Sequence, residues 1–309
     1  MATGATNSKS MNSFVLACLL GLLGCTNQPA TSEPPGLPLL HIESSLRPLA
    51  APVPAPQPGD WLSSNPEEGQ SFAQYLQLKP KRRGPEFTTI YLLLLGDFSK
   101  EQRKVLETTQ RYLAVFFQAP VKIHRELPLA VIPDHARRLH PSWGTPQIHT
   151  NYVLTELLRP ERPGDAIAYL CFTSSDLFSS ATENFVLGEA QTWERVGVWS
   201  IHRNGDPTES PEAFRQCLRR TMHIATHETG HILALKHCTA FACNMNGANS
   251  VSETDLHPLH FCPICLRKLL WNTGANPNAY LSDLETFFTH QPLDHESTWY
   301  ATARQHLPN

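Results

Sequence analysis

The sequence predicts an α/β fold, α+β toward its C-terminus: a mixed twisted sheet with helices, over a long helix, a cysteine-rich loop region and C-terminal helices. Three observations carry this prediction. Residues 88–95, 166–172 and 196–201 are short, continuous apolar runs, the pattern of strands buried on both faces. Helical patterns fall between the strand candidates, as in layered sheet-and-helix folds. From Pro211 to about Leu235 the pattern is helical throughout, and beyond it the chain turns loop-like and rich in cysteine.

Taken in order, residues 1–25 read as a targeting segment. Lys9 precedes an apolar core of ten residues, Phe14 to Leu23, the length of a signal-peptide h-region. The segment ends Leu22-Leu23-Gly24-Cys25, which resembles a lipobox. The expectation is a lipoprotein of the bacterial cell envelope with Cys25 lipidated, the other reading being an ordinary secretory signal. Nine prolines fall between Pro29 and Pro58. Proline fixes φ and removes donors, so residues 26–58 are expected to form a disordered tether. Residues 59–309 read as one body without internal repeats. In it Thr88–Leu95 is a buried strand closed by Gly96-Asp97. Ser99 and Gln102 form a capping box that opens an amphipathic helix to Phe117. Val121–Leu127 is a second strand candidate and Thr150–Leu158 is helical. Ala166–Phe172 and Val196–Ile201 are strands. Pro211 sits at a helix's first turn, where proline is tolerated, and residues 278–289 are helical again.

Composition narrows the function. A net charge of −3, with 41% hydrophobic and 17% charged residues, excludes a disordered chain. It also offers no basic stripe for a nucleic acid, and Lys81-Arg82-Arg83 reads as a solvated turn. No apolar stretch reaches the ~20 residues of a membrane-spanning helix.

The most informative segment is His227-Glu228-Thr229-Gly230-His231-Ile232-Leu233-Ala234-Leu235-Lys236-His237-Cys238. His227 and His231 stand four apart on a helix, so both rings share one face and can share an ion. Neutral imidazole suits Zn²⁺, and a catalytic zinc keeps one position open for water. His237 lies off that face of any continued helix, so the helix must end and the chain bend back. Glu228 stands beside His227, near the ion without ligating it, placed to take a proton from a water whose pKa the metal lowers. One histidine among fifteen is ordinarily a surface or satisfied core residue, but three at this spacing around a glutamate point to a metal. His223, one turn earlier on the same face, reads as a cleft or supporting residue.

Of the eight cysteines, Cys18 and Cys25 lie in the leader. Cys171 and Cys217 read as small buried hydrophobes. Cys238, Cys243, Cys262 and Cys265 have the C-x4-C…C-x2-C spacing of a tetrahedral thiolate cage for structural zinc. Two disulfides are the alternative, one that an extracytoplasmic setting favours.

With Cys243-Asn244-Met245 and Cys262-Pro263-Ile264-Cys265 downstream, the histidine segment resembles the archaemetzincins, zinc metallopeptidases of the metzincin clan. Gly59-Asp60-Trp61 to Pro66, Gly69-Gln70 and Ser71-Phe72 resemble the start of that family's domain, so the likeness spans roughly residues 59–290. The resemblance implies a metzincin-like metalloprotease fold and hydrolysis of a peptide or protein substrate by zinc-activated water. It implies His227, His231 and His237 on a catalytic zinc and Glu228 as general base. It further implies Met245 as the methionine turn beneath the site, and Cys238, Cys243, Cys262 and Cys265 on a second, structural zinc.

One position departs from the family pattern, which has glycine where this chain has Ala234. Glycine there lets the helix end in a left-handed turn. Alanine costs about 1–2 kcal/mol, small against zinc binding on the order of 10 kcal/mol. The site is therefore expected to form with strain or a shifted turn. Ala234 also feeds a rival reading, a catalytically silent zinc-binding envelope protein acting as a binding module. Tyr280 and Tyr300 are the candidate oxyanion-stabilising groups. No residue shaping the substrate cleft is identified by spacing, so aminopeptidase and endopeptidase modes both stay open.

Overall fold

Part of the proline-rich stretch is helical and packed. The computed structural model describes residues 39–308, and its first helix is α1 (Leu40–Leu46), followed by a 3-10 turn, Arg47–Leu49. Ile42 and Leu46 are buried, Glu43 pairs with Arg267 at 2.8 Å, and Pro52 bridges Phe241. For residues 40–52 the expected disordered tether therefore gives way to packed structure. The physical reason is the i, i+4 pair Ile42/Leu46, which gives the segment an apolar face to bury. The leader, with Cys18 and Cys25, lies outside the described residues.

Two short helices follow, α2 (Trp61–Ser64) and α3 (Phe72–Gln77), the second opened by a Ser71/Gln74 capping box. The apolar run becomes β1 (Thr89–Leu95), and the predicted Ser99/Gln102 box opens α4 (Lys100–Phe116). Next come β2 (Val121–Leu127), β3 (Arg137–Leu139) and β4 (Pro146–His149). A turn of helix, α5 (Thr150–Tyr152), runs on as a π-helical stretch, Val153–Leu158. Then follow β5 (Ala166–Thr173), β6 (Asp176–Phe178), β7 (Gly188–Gln191) and β8 (Val196–Ser200). The long helix is α6 (Pro211–Ile232). Beyond it stand α7 (Val251–Leu256), α8 (Pro263–Thr273), α9 (Pro277–Thr289) and α10 (Asp294–His306).

The main sheet runs β2-β1-β5-β8-β7, parallel except for the antiparallel edge strand β7, and β3-β4-β6 form a small second sheet. Its inner strands are buried on both faces, which is why their sequences read as continuous apolar runs. Alternation then sorts the side chains. Leu92, Leu94, Leu170, Phe172 and Trp199 enter the larger core, shared with α4, α6 and the C-terminal helices. Leu93, Leu95, Tyr169, Cys171, Val196 and Val198 enter the smaller one, closed by Leu154 and Leu158 of the π-helical stretch.

Ser210 caps α6, accepting from the Ala213 amide, with Pro211 at the first turn. At 1.5 Å per residue its 22 residues span roughly 33 Å, enough to cross under the sheet and reach the edge strand. Lys81 and Arg82 are exposed, as a solvated turn would have them, but two of the three cations also find partners across the fold. Arg82 donates to Trp271 O at 2.8 Å and Arg83 to Thr273 O at 3.1 Å. Both satisfy the free carbonyls at the C-terminus of α8, where cations are favoured. Cys171 and Cys217 are buried, as expected, and both are free. Among the described residues no helix is long and apolar enough to cross a membrane.

Candidate metal centre and active site

Helix α6 supplies two imidazoles and the turn that ends it supplies the third. The amides of Ala234 and Leu235 donate back to His231 O at 2.9 Å and Gly230 O at 3.0 Å. These paired bonds form a Schellman turn, whose left-handed position ordinarily holds glycine. Ala234 occupies it at φ +65°. The turn is therefore unshifted and carries the strain foreseen for alanine. Two outside side chains hold it: Gln70 Nε2 donates to Ala234 O at 3.1 Å and Thr192 Oγ1 to His231 O at 2.7 Å. The residue that raised the binding-module alternative thus delivers His237 to the site.

One ring nitrogen from each of His227, His231 and His237 lies within 4.8 Å of the others, and the Nε2 atoms of His227 and His231 are 3.0 Å apart. A tetrahedral ion with legs of about 2.0–2.1 Å would set ligand atoms roughly 3.3 Å apart, so the donor set fits zinc. The far nitrogens are all engaged. His227 Nδ1 donates to Asn244 O and His231 Nδ1 to Leu235 O, both at 2.8 Å, and His237 Nδ1 stands 3.0 Å from both Glu67 oxygens. A carbonyl can only accept, so in His227 and His231 the hydrogen sits on Nδ1 and the Nε2 lone pair faces the shared centre. Burial and the adjacent imidazoles hold His227 well below the ordinary histidine range and bring His231 down to about 4. Both are then in the neutral, ligating form.

Met245 is fully buried under this helix. A Cβ on Gly230 would stand 2.5 Å from Met245 Sδ, which explains a glycine inside the last turn of the helix. Glu228 is tucked beneath β7, where a Cβ on Gly188 would meet Glu228 Oε1 at 2.7 Å. Burial, then the Glu189 carboxylate, pushes its carboxyl up to about 8, and Glu189 in turn accepts from the Thr150 hydroxyl. Between β7 and α6 lies a cleft of about 490 Å³ that reaches His223, His227, Glu228, His231 and His237. A second hollow of about 860 Å³ opens past His231 and His237, beside Glu67, Gln70 and Trp193. His223 stays outside the converging trio, its ring 6.2 Å from that of His227, in keeping with a cleft role.

The sulfurs of Cys238, Cys243, Cys262 and Cys265 lie within 4.8 Å of one another and all are buried. None of the described cysteines forms a disulfide, which removes that alternative. Asn246 braces the loop, its Oδ1 accepting from Cys243 N at 2.7 Å and its Nδ2 donating to Cys238 O at 2.6 Å. Hydrogen bonds from the other three thiols hold Cys238 far below the usual thiol range, while burial pushes Cys243 well above it. A bound dication would favour the thiolate form that a tetrahedral cage requires.

Tyr280 and Tyr300 do not reach the site, which corrects their candidacy as oxyanion groups. Both are buried in the aromatic core, Tyr280 at 5.8 Å from Phe116 and Tyr300 at 5.3 Å from Phe288, because their rings face the apolar side of the C-terminal helices. Spacing also missed Glu67 and Glu189. Each arrives from a distant element, and no local pattern announces it.

An HExxH helix under an edge strand, a third histidine past a left-handed turn and a methionine beneath them define the class, a zinc metallopeptidase, and the model of Peptidase family M54 matches residues 164–270. The chain is 31% identical over 259 residues to Archaemetzincin-2 of Homo sapiens, covering 73% of this chain and 71% of that one. It is 30% identical over 265 residues to Archaemetzincin-2 of Mus musculus, covering 74% and 72%. The chain belongs to the archaemetzincin family. A crystal structure of an archaemetzincin from Methanopyrus kandleri is similar with 25% identity and a TM-score of 0.49, over 62% of this chain and 97% of that one.

Proposed function

We propose that this zinc metallopeptidase hydrolyses peptide bonds with Glu228 as general base and carries two zinc ions, one for the three imidazoles and one for the four thiolates. The observation that carries the reading is the place of Glu228: buried, next to His227, and open to the cleft on which the imidazoles converge. Bound zinc would supply Lewis acidity toward water and the scissile carbonyl. Glu228 takes the proton of the attacking water on its carboxylate and hands it to the leaving amine. A cation beside it favours the charged form and offsets the upward pull of burial. The glycine at 188 leaves room for that carboxylate under the strand. β7 has a partner strand on one side only, so its other edge offers backbone donors and acceptors to an extended peptide. Glu67 and the carbonyls of Asn244 and Leu235 orient the imidazoles. The thiolate cage pins the chain immediately after His237, where Cys238 N donates to Met245 O at 2.7 Å.

Glu228→Gln tests the reading. The variant is expected to keep its zinc and lose turnover of a fluorogenic peptide library by about 10²- to 10⁴-fold, the usual worth of a general base. Unchanged turnover would remove Glu228 from the chemistry. The leader is a separate proposal that rests on the lipobox motif alone: residues 1–25 direct export and Cys25 carries a lipid anchor at the cell envelope. Fatty-acid labelling that survives Cys25→Ser would end it.

A further inference from the structure

We propose that His223 forms the floor of a substrate subsite that takes an uncharged hydrogen-bonding side chain, a carboxamide or hydroxyl, on the residue that follows the scissile bond. The inference rests on the peptidase reading above and adds a preference to it. His223 is 3% exposed and lines the cleft, and its Nε2 is closed off from solvent without a hydrogen-bond partner. The ring of His257 lies 6.0 Å behind it, with its Nδ1 likewise unpartnered. A buried polar nitrogen left unmatched costs roughly 1–3 kcal/mol. At a cleft wall such a group is best explained by a ligand that completes it.

The surrounding charges decide what kind of ligand fits. Arg219 lies beside both rings, but its guanidinium is paired with Glu296 at 3.0 Å and donates to His257 O at 2.6 Å. On the roof, Glu189 is engaged by Thr150 and Glu183 by Ser179. Those hydroxyls leave both carboxylates charged and Arg219 is already paired, so an acidic side chain would meet like charge without a counter-ion. An ammonium would be held by the carboxylates of the roof and not by the imidazole. A carboxamide or hydroxyl can donate to or accept from an imidazole nitrogen and meets no such repulsion.

Position along the substrate follows from strand direction. Gly188 stands over Glu228 and Thr192 is bonded to His231, so β7 and α6 run the same way across the site. Antiparallel pairing is the more stable per residue. A peptide added antiparallel to β7 carries its C-terminal half toward Gly188 and on to His223, one helical turn upstream of His227. The side chain beyond the cut is the one that arrives there.

The test uses the full-length protein and peptides that differ only in the residue after the cut: Gln, Leu, Lys or Glu. Two readouts are taken, kcat/KM of the enzyme and the Kd of each peptide for the Glu228→Gln protein. The expected result is a preference for Gln over Leu of about tenfold in both, the worth of one buried hydrogen bond, with Glu disfavoured and the use of Lys unmoved by His223→Leu. His223→Leu is expected to invert the Gln/Leu order, and His223→Asn, which keeps a donor and an acceptor, to retain it. Equal use of Gln and Leu by the parent enzyme, or an order unmoved by His223→Leu, overturns the subsite alone. If no peptide is cut but the Glu228→Gln protein still binds Gln over Leu tenfold, the peptidase reading fails and the subsite stands.

Discussion

Glu67 is the residue whose removal most cleanly separates metal retention from folding. It belongs to neither the helix nor the cysteine loop, yet both its oxygens lie 3.0 Å from His237 Nδ1, and Trp61 Nε1 also donates to it at 3.0 Å. A charge-assisted bond is worth about 1.5–3 kcal/mol when buried. Here the histidine and glutamate side chains are 17% and 31% exposed, so solvent screening reduces the figure. A worth of about 1–2 kcal/mol corresponds to roughly 5- to 30-fold in zinc affinity at the imidazole site, in line with other residues that orient a ligating histidine. Glu67→Ala should lose that much. Glu67→Gln, which keeps an acceptor oxygen without the charge, should lose only about threefold. The assay is competition with a chromophoric chelator, with zinc in the thiolate cage as internal reference. Glu67→Ala that holds its first-released zinc as tightly as the parent would refute the reasoning, and so would equal weakening of both zincs.

Two further substitutions probe the scaffold. Gly230→Ala drives a Cβ to 2.5 Å from Met245 Sδ. Overpacking of this kind costs about 1–3 kcal/mol, and a lowered thermal midpoint restored by shortening Met245 would locate the strain. At Ala234, held at φ +65°, glycine relieves about 1–2 kcal/mol of strain, but loses about 0.8 kcal/mol of methyl burial and frees the unfolded chain by about 0.4–1 kcal/mol. Denaturant unfolding of Ala234→Gly should therefore fall within ~1 kcal/mol of the parent. Ala234→Val, β-branched at positive φ, should be far less stable and should lose the imidazole zinc first.

Much of this architecture was legible because local pattern and final environment agree. The runs at 89–95, 166–173 and 196–200 are apolar at nearly every position because they are buried on both faces. Ser99 and Gln102 made their own capping box. The three converging histidines were legible because i, i+4 geometry and a forced chain reversal are local facts. What was not legible arises from long-range contact. Ile42 and Leu46 packed a proline-rich stretch that composition assigned to a tether. Arg82 and Arg83 found helix carbonyls nearly two hundred residues away, and Tyr280 and Tyr300 turned inward with their helices. Glu67 and Glu189 share the centre with α6 only because the fold brings a loop and an edge strand to it.

Anomalous diffraction at the zinc absorption edge, from crystals of the full-length protein, tests the central claim most directly. Two peaks are expected per chain. One should lie about 2.0–2.1 Å from a nitrogen of each of His227, His231 and His237, and the other about 2.3 Å from the sulfurs of Cys238, Cys243, Cys262 and Cys265. No peak among the imidazoles of zinc-supplied crystals, or a His237 ring turned away from one held by the other two, would contradict the account.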